Sequence, residues 1–190
     1  MADPRSSGVA SPLAAETNAA PAAKVKRGSS RQVGALLADI RRARLHAAAL
    51  GYGTVFSATP LERIDMIRRG IPASEAKRIF AELSIGQAEG FKALNLSPAT
   101  VNKKAKQGGT LSREESERVV GLAKLVGQVE AMVQESGDPT NFDARAWLAR
   151  WLTEPLPAFG GVRPADLVDT MEGQALVSAA LARIQSGAYA

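Results

Sequence analysis

Apolar residues recur every three to four positions through most of this chain, and turn-formers cut the pattern into short lengths. That period is helical, and no stretch alternates as a strand would, so the pattern predicts an all-α fold. A first helix is expected from about Ser30 to Leu50. Val33, Leu36, Leu37 and Ile40 form its apolar stripe, and Gly51 and Gly53 end it. Thr59-Pro60-Leu61-Glu62 then combines an N-cap, a first-turn proline and a reciprocal glutamate. Gly70-Ile71-Pro72 breaks that helix, and Ser74 opens the next, carrying Ala76, Ile79, Phe80 and Leu83. Ser84-Ile85-Gly86-Gln87 has the spacing of another capping box, opening a helix that ends near Leu94. Ser97-Pro98 caps a further helix, closed by Gly108-Gly109. Ser112 starts a long one striped by Val119, Leu122, Val126, Val129 and Val133. Asp138-Pro139 interrupts, and Asn141 to Leu152 supply a short helix. Pro164 restarts the chain towards a last helix bearing Val177, Leu181 and Ile184, with Gly187 as its stop.

Composition narrows the chemistry. The chain has 190 residues, no cysteine and one histidine, His46, which removes disulfides, thiolate metal sites and the common catalytic triads. No metal site, cofactor or catalytic residue is expected, and His46 on a predicted helix has a structural role. Glu114-Glu115 sit at a helix start, where carboxylates favour the dipole. No apolar run approaches a membrane span, and the N-terminus lacks a signal-like apolar core, so a cytoplasmic location is expected. Residues 1–29 are Ala-, Ser- and Pro-rich and too poor in apolar bulk to order, which predicts a disordered tail; residues 30–54 hold an N-terminal helix of unknown role. The formal charge is +5, distributed as +5 over residues 1–50, +4 over 51–125 and −4 over 126–190. A basic front suits a polyanion and an acidic end suits a protein surface. Arg41, Arg42 and Arg44 fit either a solvated face or phosphate contact.

Residues 87–106 have the spacing of a helix-turn-helix. Asn95 supplies the positive φ the turn needs, Leu96 plugs the angle between helices, Ser97 caps the second helix and Val101 points inward. With Ser97, that helix offers Thr100, Asn102, Lys103, Lys106 and Gln107 to phosphates and base edges. Phe91 stands at the inner position where such units carry alanine, which predicts a slightly splayed pair. A three-helix core with lysines on its polar face explains the same residues without DNA.

Beyond it, Trp151-Leu152 anchors a short helix, Pro155 ends it, and Gly160-Gly161 permits a tight loop. Asp166 is placed to favour the dipole of a helix begun by Pro164. Thr170 and Gly173 mark a bend or close contact before the last helix. The pattern alone fits a helical cap over the long helix as well as it fits a binding surface.

In order, Trp151-Leu152, Pro155, Gly160-Gly161, Pro164-Ala165-Asp166-Leu167, Thr170-Met171-Glu172-Gly173, Val177, Leu181, Ile184 and Gly187 closely resemble the toxin-binding domain of Xre/MbcA/ParS-type antitoxins. Upstream, Gly70-Ile71-Pro72, Leu96-Ser97, Thr100, Leu111-Ser112, Glu114, Glu115 and Ser116 resemble that family's Xre-like part. The resemblance spans about residues 55–190. It divides them into an Xre-like helix-turn-helix domain (55–125) and a toxin-binding domain (126–190). It implies a cognate RES-domain toxin that consumes NAD, whose active-site entrance the C-terminal part covers. It also implies operator DNA as a second partner, and a homodimer or larger toxin–antitoxin complex. The toxin-facing positions so implied are Trp151, Phe159, Gly160, Gly161, Pro164, Leu167, Thr170, Met171, Gly173, Gly187 and Tyr189. Phe159, Leu167, Met171 and Tyr189 are the expected exposed anchors, whereas Trp151 suits an anchoring role with Trp147. The free end after the last helix is expected to enter the partner. The alternative is a stand-alone regulator whose C-terminal block dimerises it.

Overall fold

The computed structural model describes residues 50–136 and 142–186. The expectations for the tail, the helix at 30–50, His46, Asp138-Pro139, Gly187 and Tyr189 lie outside these residues. Among the described residues the fold is all-α, with one isolated antiparallel bridge between Pro72 and Thr110. In chain order the helices are α1 (Tyr52–Ser57), α2 (Pro60–Arg69), α3 (Ala73–Glu82), α4 (Gln87–Ala93), α5 (Pro98–Lys106), α6 (Arg113–Glu135), α7 (Ala144–Thr153) and α8 (Met171–Gln185). Single 3-10 turns at Pro157–Phe159 and Pro164–Asp166 join the last two.

Three of the expected starts are present as local chemistry demands. Thr59 and Ser112 form full capping boxes with Glu62 and Glu115, and Ser97 accepts from the Thr100 N–H. Three other expected boundaries, one end and two starts, differ. Gly53 does not end a helix but lies inside α1, because Tyr52 and Val55 bury that turn against α6 at Gly127. Ser74 is inside α3, which Pro72 opens. The break is held instead by the Ala73 N–H on Gly109 O (3.0 Å) and the Leu111 N–H on Ile71 O (2.8 Å). Ser84 is not a cap either. It takes φ 55° after α3, letting the Ile85 N–H return to Phe80 O at 3.0 Å, and Gly86 precedes α4 without a side-chain cap.

α6 is the spine against which α1, α2, α7 and α8 pack. Phe80, Ile79, Leu125, Val126, Leu148, Val177 and Leu181 are fully buried along it, so one core joins the front and back halves. Buried Gln174 donates to Val168 O (2.8 Å) and Arg118 O (3.3 Å). Gln128 and Ser178 exchange two hydrogen bonds between α6 and α8. These amides fix the register of α8 on α6.

At the head of the described chain, Leu50 gives its N–H to Glu75 (2.8 Å) and its carbonyl to Arg78 (2.9 Å). Tyr52 donates to Glu82 at 2.7 Å, and the Arg78 and Arg145 guanidinium groups lie over its ring. Burial, reinforced by the Glu82 carboxylate, pushes the Tyr52 phenol up, so it stays protonated and donating. Arg145 also pairs with Glu130 on α6 at 3.0 Å. One polar network thus ties α1, α3, α6 and α7.

Candidate functional site

The helix-turn-helix is α4, the turn at 94–96, and α5. Asn95 has φ 47°, the conformation its sequence position requires. Leu96 is buried, its N–H on Phe91 O at 2.8 Å, and Val101 is fully buried. Phe91 is buried. Its ring meets Phe80 edge-on with centroids 5.3 Å apart. Close approach is supplied one residue earlier, at Gly90, where a Cβ would lie 2.5 Å from the Phe80 ring.

Two contacts that the local pattern did not reveal hold this unit from outside. Arg118 on α6 donates from Nη1 to Asn95 O (2.7 Å) and Leu94 O (3.2 Å), pinning the turn. Lys104 pairs with Glu115 at 2.7 Å. Burial pulls the Glu115 carboxyl upward, but Lys104 and the Ser112 N–H outweigh it and hold it below its usual range. Replacing Arg118 with alanine leaves both turn carbonyls without that donor. The expected cost is about 1–3 kcal/mol in thermal or denaturant unfolding.

With Lys104 engaged, the outer face of α5 presents Thr100, Lys103 and Gln107 on one strip, all exposed. Exposed Lys106 and half-buried Asn102 lie beside it. Ser97 is exposed, yet its hydroxyl is committed to the helix start at Thr100. Lys103 and Lys106 lie in the last turn, where the helix dipole favours cations. The sequence-derived set therefore forms one continuous basic and amide-bearing face.

In the C-terminal block, the chain from Leu156 to Val162 closes on itself. The Leu156 N–H meets Val162 O (3.2 Å) and the Gly161 N–H meets Leu156 O (2.9 Å). Gly160 and Gly161 take φ 65° and 85°, a left-handed pair that L side chains resist, and both face open space. Phe159 and Leu167 are half-buried beside this loop, while Thr170 and Met171 are exposed. Val162, 41 % exposed, joins them and was missed in the sequence because a lone valine in a loop carries no signal.

Trp151, Pro164 and Gly173 are buried and shape the surface from beneath. The Trp151 ring stacks on Trp147 with centroids 5.9 Å apart. Thr170 caps α8 by accepting from the Gly173 N–H at 3.0 Å. Pro164 opens only a single 3-10 turn rather than a helix, because α8 waits for the Thr170 cap. Asp166 correspondingly serves no long-helix dipole: it forms a two-pronged pair with Arg163 (2.8 and 2.7 Å), which holds its carboxyl below the usual range. Among the described residues no helix is long and apolar enough to cross a membrane.

Two family models match this arrangement. Residues 62–124 match the antitoxin Xre-like helix-turn-helix domain, and residues 140–187 match the antitoxin Xre/MbcA/ParS C-terminal toxin-binding domain. A Prs ADP-ribosylating antitoxin from Sphingobium sp. (strain YBL2) is 59% identical over 139 residues, which is 73% of this chain and 87% of that protein. With both models in their family order on one helical body and a relative at that identity, the chain belongs to the Xre/MbcA/ParS antitoxin family.

Proposed function

We propose that the chain is the antitoxin of a two-component module, covering the active-site entrance of an NAD-consuming RES-domain toxin and repressing its own operon through α5. In this reading it acts in the cytoplasm, by binding and without a cofactor, as a homodimer or within a larger complex with toxin. The observation that carries it is the open Gly160-Gly161 loop, closed on itself between Leu156 and Val162, with Val162 exposed within it and Met171 exposed at the start of α8. Interfaces draw their energy from apolar anchors of this kind on a prearranged backbone. The relative's name attaches ADP-ribosylation to its own module, and ADP-ribosyl transfer consumes NAD, which agrees with a toxin of that class. Ser97, Thr100, Asn102, Lys103, Lys106 and Gln107 are the proposed DNA face. Thr170, Gly187 and Tyr189 complete the proposed toxin face.

The test is co-expression with a RES-domain toxin, followed by titration of the purified pair. Val162→Asp is expected to weaken toxin binding by about tenfold to a hundredfold, the size of an anchor lost from an interface. Its thermal midpoint should stay close to the parent's, since Val162 faces solvent. Unchanged affinity would remove the loop from the interface; failure of the parent to capture or neutralise the toxin would remove the antitoxin reading altogether.

A further inference from the structure

A groove of about 270 Å³ runs between α2, α6 and the start of α8, away from both surfaces above except at Met171, which closes one end. Its wall carries Ile64, 41 % exposed, and Leu61, three residues earlier on the same side of α2, is 77 % exposed. Met171 is 54 % exposed. Single exposed apolar residues are ordinary; here Ile64 and Met171 line one groove, and Leu61 adjoins Ile64 on α2.

The floor holds two opposite charges, Glu117 and Lys124, both half-buried. Neither has an ion pair or side-chain hydrogen bond among the described residues, although nearby Glu115, Arg118, Glu130 and Arg145 are all engaged. Burial, with Arg63 adding like charge, holds the Lys124 ammonium below the usual lysine range. A half-buried charge without a partner is unfavourable for an isolated chain. Seven residues apart on one helix, the two are separated by about 10 Å of axial rise, and they flank Val120 and Gly121 symmetrically.

We propose that this groove seats a second copy of the chain, with a two-fold axis beside Val120 and Gly121 that brings Glu117 of each copy to Lys124 of the other. A two-fold contact is self-complementary by construction, so each charge needs its opposite at the mirrored distance on the same groove. The chain itself supplies that pattern, and the Leu61 and Ile64 side chains of each copy fill the apolar wall of the other. The inference gives a location to the homodimer of the functional reading and does not depend on the toxin.

The experiment is sedimentation equilibrium of the full chain over a wide concentration range, with circular dichroism to confirm that each variant is folded. Glu117→Lys and Lys124→Glu should each weaken self-association by at least about tenfold, by setting like charges opposite one another. An equimolar mixture of the two single variants should pair, positions 117 and 124 being both basic in one copy and both acidic in the other, and the double swap should associate like the parent. Leu61→Ser, which touches no core residue, should weaken association comparably. A parent that stays monomeric would overturn the proposal together with the homodimer reading. A dimeric parent with equally dimeric single variants would overturn only this location. Single variants that associate normally but lose the toxin would overturn it in favour of a toxin contact.

Discussion

Replacing Gly173 with valine is expected to lower stability by about 3 kcal/mol or more and to abolish toxin neutralisation. A Cβ at this position would begin 1.8 Å from Leu167 O and 2.9 Å from Thr170 Oγ1. The first of these neighbours is backbone, so no rotamer change relieves the overlap. Either the start of α8 lifts from the preceding turn or the Thr170 cap is lost. Both movements displace Met171 and Leu167, the edge of the proposed toxin face. For a chain of this length the thermal midpoint should fall by roughly 6–12 °C. Promoter affinity of the folded protein should fall less than neutralisation, because Gly173 reaches the α5 turn only indirectly, through its neighbour Gln174 and Arg118. Intact neutralisation by this variant would show that the α8 start is not part of the toxin surface.

The second large effect is expected on DNA. Lys103→Glu combined with Lys106→Glu should reduce promoter affinity by about a hundredfold or more, and lower the slope of log affinity against log salt by about two. Both lysines are exposed and in the last turn of α5, so reversal costs only about 1 kcal/mol or less in folding through the helix dipole. Lys104→Glu is the informative contrast. It breaks the pair with Glu115 and sets two carboxylates together, so its main effect should appear in unfolding rather than in the salt slope. Measured by fluorescence anisotropy at several salt concentrations, an unchanged slope in the double variant would exclude α5 as the phosphate-contacting helix.

What the sequence made legible was mostly local. Thr59, Ser97 and Ser112 each sit within four residues of the groups they cap, and Asn95 takes the one turn conformation for which its side chain is suited. The failures share a different origin. Ser84 and Gln87 satisfy a capping-box spacing, but burial of Ile79, Phe80 and Leu83 carries α3 to Glu82, with Leu83 as its C-cap, and leaves Ser84 as the terminator. Gly53 marks a helix end by propensity, yet burial of Tyr52 and Val55 against α6 overrides it. At Phe91 the small residue of the motif is absent, and the close approach to Phe80 falls at Gly90. On the proposed surfaces, the exposure of the α5 lysines and of the Gly160-Gly161 loop was readable. Arg118 reaching Asn95 across 23 positions, and Gln174 reaching Arg118 across 56, were not. Such contacts have no periodic signature, since they depend on where whole helices come to rest.

Arg118 has a thermodynamic consequence of its own. Its guanidinium steadies the turn that presents α5, while its carbonyl receives Gln174 from the helix behind the proposed toxin face. A toxin that tightens or loosens this residue alters operator affinity by some factor, and reciprocity then obliges operator DNA to alter toxin affinity by that same factor. Cells carrying more free promoter copies would thereby shift how firmly each toxin molecule is restrained, with no additional component required.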